Sequence, residues 1–229
     1  MKSEQSVLRW GGLSGLLAAI VFIVGMPLYK SVEPFSSEGL IAFPDIRAAL
    51  ALSISLSMIT AVLSVAFILV LHSALRGTGQ ALALIGGVLS TIGYIATALG
   101  DASTIVAFAP LSDLYHAQPA TPEVQATVSL LWQTTRGIPY TFFFLGGLFM
   151  MVGFTVLGLA MFGSPSFGRR FGWLSITLGA VGVVGVLTSL FVPGAIGIQL
   201  MGSAAFANLI FLPLLGFKVF RLSRVKAES

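Results

Sequence analysis

The chain has 229 residues, 56% of them hydrophobic and 9% charged, with a mean hydropathy of +1.00 and a net charge of +4. An ordinary soluble domain is about 25% charged, so this composition excludes a soluble globular protein and a disordered chain. The absence of cysteine excludes disulfide scaffolds, thiolate metal sites and cysteine nucleophiles.

A helix that crosses a membrane needs about 20 mostly apolar residues, and six segments reach that length. They predict an all-α fold: a polytopic integral membrane protein, a six-transmembrane-helix bundle, as one domain over 1–229. The first span covers 7–28. Lys2 and Arg9 precede it as in a signal peptide, but no clean small-x-small cleavage pattern follows, because the run ends in Gly25-Met26-Pro27-Leu28-Tyr29. It therefore reads as a retained helix. The second span covers 46–75 and opens with Pro44 and Asp45 in the manner of a first helical turn. The third covers 80–108 and stops at Pro110. Beyond an outer loop, Thr121-Pro122-Glu123 reads as a helix start, with Thr as cap and Pro at the first position. Val124, Val128, Leu131 and Trp132 then share a face. This predicts an amphipathic outer helix over 121–135, which either lies on the membrane or continues into the fourth span. The remaining spans cover 138–162, 171–191 and 197–220.

Lys and Arg in the loops set the orientation. With the N-terminus inside, nine of the 12 basic residues fall on the inner side, leaving Lys30, Arg47 and Arg136 outside. Both termini are therefore expected in the cytoplasm. The basic residues flank apolar segments instead of forming a patch on a soluble domain, so nucleic acid is not an expected partner. The basic stretch from Lys218 to Lys226 can attract anionic lipid, but it serves first to enforce topology.

Two glycine patterns stand out. Gly-x-Leu-Ser occurs at Gly11–Ser14, Gly87–Ser90 and Gly172–Ser175, each near the start of an odd-numbered span. Three parallel helical-hairpin repeats would produce it, and so would chance, since these residues are common in membrane helices. Gly86, Gly93 and Gly100 recur every seven residues, and Gly172 and Gly179 do the same, followed by Gly182 and Gly185. Small residues at that spacing let helix backbones approach closely, so these glycines predict packing seams.

Polar residues inside the spans fall on stripes. Ser90, Tyr94, Thr97, Asp101 and Thr104 share one face of the third span, and Ser53, Ser57, Thr60 and Ser64 share one face of the second. The stripes either face each other or a shared cavity, or their hydroxyls simply bond their own backbone. Asp101 is the sharpest case, because an Asp at the bilayer centre costs about 2.5–3.5 kcal/mol. Arg136 is its expected partner, with Tyr140 one turn on. The functional reading is an outward-facing ligand pocket of Tyr94, Asp101, Arg136 and Tyr140, with Asn208 deeper down. The structural reading is an ion pair that fastens two helices, or an Asp that is wet at the interface. On the pairing view, Asp101→Asn should disturb stability more than Ser57→Ala.

His72 and His116 lie at opposite ends of the bundle, so they cannot ligate one haem. Neither has a second ligand at metal spacing. No phosphate loop, dinucleotide fingerprint or nucleophile elbow is present. No cofactor, no metal and no enzymatic activity are expected.

From Arg9 to Arg224 the chain resembles uncharacterised bacterial six-helix membrane proteins grouped as a domain of unknown function. The likeness is carried by size, six spans, Gly-rich odd helices such as Arg9-Trp10-Gly11-Gly12-Leu13-Ser14, and the acidic outer loop before the fourth span. It implies a bacterial inner membrane and no activity. The expected function is non-enzymatic: binding a protein partner or a small lipophilic ligand, as an accessory subunit of a membrane complex. The alternative is a small transporter or channel with Asp101 as a proton- or cation-responsive site. Expected partners are membrane lipids and either another protein or further copies of the chain. A subunit should bury Phe142-Phe143-Phe144 against another chain.

Overall fold

The computed structural model describes residues 2–28, 37–75, 79–117, 121–191 and 195–228, without the side chains of 2–3, 37, 190, 195–201, 203–208 and 225–228. Every regular element among the described residues is helical. Helix α1 (Lys2–Gly25) ends in a 3-10 turn (Met26–Leu28), and α2 (Ser37–Ala74), α3 (Gln80–His116), α4 (Pro122–Thr135), α5 (Gly137–Phe162), α6 (Gly168–Phe191) and α7 (Ala195–Glu228) follow. Five stretches are long and apolar enough to cross a membrane, in α1, α2, α3, α4 with α5, and α6. The chain is a multi-pass helical bundle.

Six helices form a ring in chain order. Helices α1, α2, α3, α5, α6 and α7 each pack on the next, and α7 closes on α1. Glycines bring their backbones together. On α3 and α5, a Cβ at Gly86 would lie 2.8 Å from Gly153 O, and one at Gly93 would lie 2.7 Å from Gly146 O. On α5 and α6, Gly158 and Gly172 oppose each other in the same way, and on α1 and α7 so do Gly12 and Gly216. With no hydrophobic drive between helices in lipid, this close van der Waals contact is what joins them. The heptad glycines of α3 thus form the expected seam. Their partners Gly146 and Gly153 show the same seven-residue spacing on α5. The α2–α3 turn places Gly79 at φ 82°, in the left-handed region that favours glycine.

Apolar side chains fill the end of the ring that holds the termini. Phe67, Ile68, Leu71, Leu157, Met161, Phe211 and Leu215 are all buried there, in one cluster. Outward-facing positions are apolar as well, as in Val62 and Val106, which are 70% and 74% exposed.

Helices α2 and α3 exceed expectation. They contain 38 and 37 residues, about 55 Å each at 1.5 Å per residue, against about 30 Å of hydrocarbon. The sequence predicts that the second span opens at Pro44 and the third stops at Pro110, yet both helices run through these prolines. The reason is tertiary. Leu40, Phe43, Leu50, Phe108 and Ala109 gather with Val128 and Trp132 of α4 in a second buried cluster at the far end. Trp132 is fully buried, with ring centroids 5.4 Å from Phe43 and 4.4 Å from Phe108. Packing of this kind outweighs the one backbone hydrogen bond that each proline removes.

The amphipathic helix α4 begins as expected, with Thr121 Oγ1 accepting from the Val124 N–H. Val128 and Trp132 are buried, whereas Val124 and Leu131 are exposed. One half of the expected apolar face therefore caps the protein's own far end.

The three serines of the Gly-x-Leu-Ser pattern are buried in different settings. Ser14 Oγ donates to Gly11 O in its own helix at 2.8 Å, and Ser175 Oγ crosses to Phe154 O at 2.7 Å. Ser90 Oγ is buried without a hydrogen-bond partner. The likeness of the three segments does not extend to their contacts.

Candidate functional site

The polar stripes of α2 and α3 face each other. Antiparallel packing brings Ser57 Oγ to Asp101 Oδ2, to which it donates at 2.5 Å. That is the short range expected of a hydroxyl on a carboxylate. Two turns nearer the termini, Ser64 stands beside Tyr94. Ser53, Thr60, Ser64, Ser90, Tyr94, Asp101 and Thr104 are all buried.

Near the far end the stripes open into a cavity of about 470 Å³. Phe22, Gly25 and Met26 line it from α1 and its 3-10 turn, Ser53, Ile54 and Ser57 from α2, Thr97 and Asp101 from α3, and Phe143 from α5. Helix α5 contributes a phenylalanine because Gly100 of α3 leaves room for Phe142 and Phe143 to lie across it.

The hydrogen bonds give this cavity a definite polarity. A hydroxyl has one proton to donate and two lone pairs to accept with. Ser57 spends its proton on Asp101. Ser53 spends its proton on Gly25 O at 3.2 Å, and Thr97 on Gly93 O at 3.0 Å. The polar groups of the lining thus present acceptors: one carboxylate and three hydroxyl oxygens. Asp101 is only 8% exposed, and the other large groups around it are Phe22, Met26, Ile54 and Phe143.

The expected site residues fare differently. Asp101 lies in the cavity wall, and Tyr94 lies two turns along the same helix, outside the lining. Asp101 and Arg136 form no ion pair. The salt bridge among the described residues joins Arg47 and Asp113 at 2.9 Å. Arg136 is exposed at the junction of α4 and α5, where its backbone N–H caps α4. The physical reason is location: a guanidinium at a helix junction stays at the polar boundary instead of entering the bundle. Tyr140 is also turned away, stacked on Phe144 with ring centroids 6.2 Å apart. The side chain of Asn208 lies outside the described residues.

Sequence reasoning places Ser57 on the correct stripe and misses it as Asp101's partner. Phe22 and Met26 carry no signal, since isolated apolar residues in apolar helices look alike, and Phe143 stands out in the sequence only as part of the Phe142–Phe144 run, with nothing to tie it to Asp101. No group of three or more His, Asp or Glu residues suited to a metal ion occurs among the described residues. Compared with known protein families, curated proteins and solved structures, the chain matches none.

Proposed function

We propose that the protein is a non-enzymatic membrane protein that binds a small lipophilic molecule carrying a protonated amine or similar cationic donor. The observation that carries this reading is Asp101, a carboxylate buried in an acceptor-only cavity with apolar walls. A cavity of about 470 Å³ falls in the usual range of small-molecule sites, which combine mostly apolar walls with a few placed polar groups. Burying a carboxylate is costly, and a bound cation offsets that cost with a charge-assisted hydrogen bond. Phe22 and Phe143 add aromatic faces on which a cation is attracted.

In this reading the bundle has six spans, with α7 as the sixth, and lies in a bacterial inner membrane with both termini in the cytoplasm. Support comes from the excess of Lys and Arg at the termini end. The cavity then opens on the outer half of the membrane. Binding is favoured over transport through Asp101, because the apolar cluster of Phe67, Leu71, Leu157 and Phe211 fills the other half. The accessory-subunit reading has less to rest on. Phe142 and Phe143 pack over Gly100, and Phe144 stacks on Tyr140, so the aromatic run is largely used within the chain.

Native mass spectrometry of the protein released gently from its own membrane tests this reading. Wild type should carry a small organic cation that Asp101→Asn loses. An identical bound mass on both proteins, or none on wild type, would overturn it.

A further inference from the structure

A second cavity lies at the opposite end of the bundle, among the first turns of α1 and the last turns of α7. Its volume is about 570 Å³, and Ser6, Arg9, Trp10 and Leu13 face Phe220 and Arg224 across it. The two arginines come from opposite ends of the chain. They converge because Gly12 and Gly216 hold α1 and α7 in backbone contact just below: a Cβ at Gly12 would lie 2.7 Å from Gly216 O. Arg224 is seated over the Phe220 ring, 5.1 Å from its centroid. Neither Arg9 nor Arg224 joins a salt bridge among the described residues. Trp10 is 69% exposed, the placement of an indole at headgroup level.

From this convergence we infer that the cleft is a phosphate-group site, filled by the headgroup of an anionic phospholipid in the leaflet at the termini end. Two guanidinium forks match the paired oxygens of a phosphate in a way that two point charges would not. The Ser6 hydroxyl supplies a further donor. Leu13, Trp10 and Phe220 form an apolar wall beside the arginines, which suits the upper part of an acyl chain and favours a lipid over soluble phosphate. Arginines needed only for topology would not require a cleft, nor convergence from both ends of the chain. This site is separate from the Asp101 cavity and does not rest on the function proposed for it.

The test is lipid retention by the full chain, by native mass spectrometry from nanodiscs of phosphatidylglycerol mixed with phosphatidylcholine. Wild type should retain phosphatidylglycerol in preference. The double variant Arg9→Gln/Arg224→Gln should lose that preference by about tenfold or more, and Arg9→Lys/Arg224→Lys should lose part of it. Arg221→Gln removes the same kind of charge from over Phe217, outside the cleft, and should keep the preference. Retention that survives millimolar inorganic phosphate upholds the lipid as occupant. Displacement by phosphate upholds the phosphate site with a soluble occupant. Equal retention of both lipids by wild type, or an Arg221→Gln loss as large as that of the double variant, overturns the inference.

Discussion

Gly93→Leu should separate α3 from α5 and destabilise the bundle more than either Gly93→Ala or Gly87→Ala. The reason is what a side chain would meet. A Cβ at Gly93 would lie 2.5 Å from Met150 N and 2.7 Å from Gly146 O. These are backbone atoms of the opposing helix, so no rotamer change relieves the clash. The helices must move apart along the whole seam, losing the contact of Gly86 with Gly153 as well. Gly93→Ala already over-packs the site and should cost about 1–3 kcal/mol, and the leucine more. Gly87→Ala is the control on the same helix, because its Cβ would meet only Ile68 Cγ2, at an ordinary 3.6 Å. It should be neutral to within about 1 kcal/mol. Reversible unfolding in detergent separates the three. Equal loss for Gly87→Ala and Gly93→Ala would contradict the seam.

Ser57→Ala should destabilise the protein more than Asp101→Asn, the reverse of what an Asp101–Arg136 pair would give. Ser57 is the one protein hydrogen-bond partner that the described residues offer the buried carboxylate. Removing the hydroxyl leaves Asp101 charged and without that bond, at a cost of about 1–3 kcal/mol. Asparagine removes the charge, keeps an oxygen for Ser57 to donate to and retains the shape. Relief of carboxylate desolvation offsets the weaker hydrogen bond, so Asp101→Asn should unfold within about 1 kcal/mol of wild type. Denaturant titration in detergent compares the two variants directly. A carboxylate that stability does not need, at the wall of a cavity, is a mark of function.

Much of this architecture is legible in the amino-acid sequence. Helical spacing alone puts Ser57 and Asp101 each on a polar stripe of its own helix, and only the structure shows that the two stripes face each other. The glycines at 86, 93 and 100 announce a seam by their spacing, and Gly146 and Gly153 offer the matching half at the same spacing. The partner of Asp101 is not legible. Spacing fixes which face a residue occupies, but not which helix it meets, and charge complementarity points to Arg136. Arg136 does not pair with Asp101 because its side chain belongs to a helix junction at the polar boundary, where its charge costs little. Pro44 and Pro110 mislead for a related reason. As local signals they end helices, but the contacts among Phe43, Phe108 and Trp132 that carry both helices past them are distant in sequence. The Arg47–Asp113 bridge in that region is largely exposed, and a pair of that kind contributes about 0–1 kcal/mol.

The most direct test of the central claim is calorimetric titration of the purified protein, in a neutral detergent, with a long-chain alkylammonium and with the alcohol of equal length. The two probes share an apolar body and differ in the charged donor. Wild type should bind the ammonium at least about tenfold more tightly than the alcohol, and Asp101→Asn should remove that difference while remaining folded. Equal affinity of wild type for both probes, or an ammonium preference that persists in Asp101→Asn, would contradict the assignment of Asp101 as the cation-binding group.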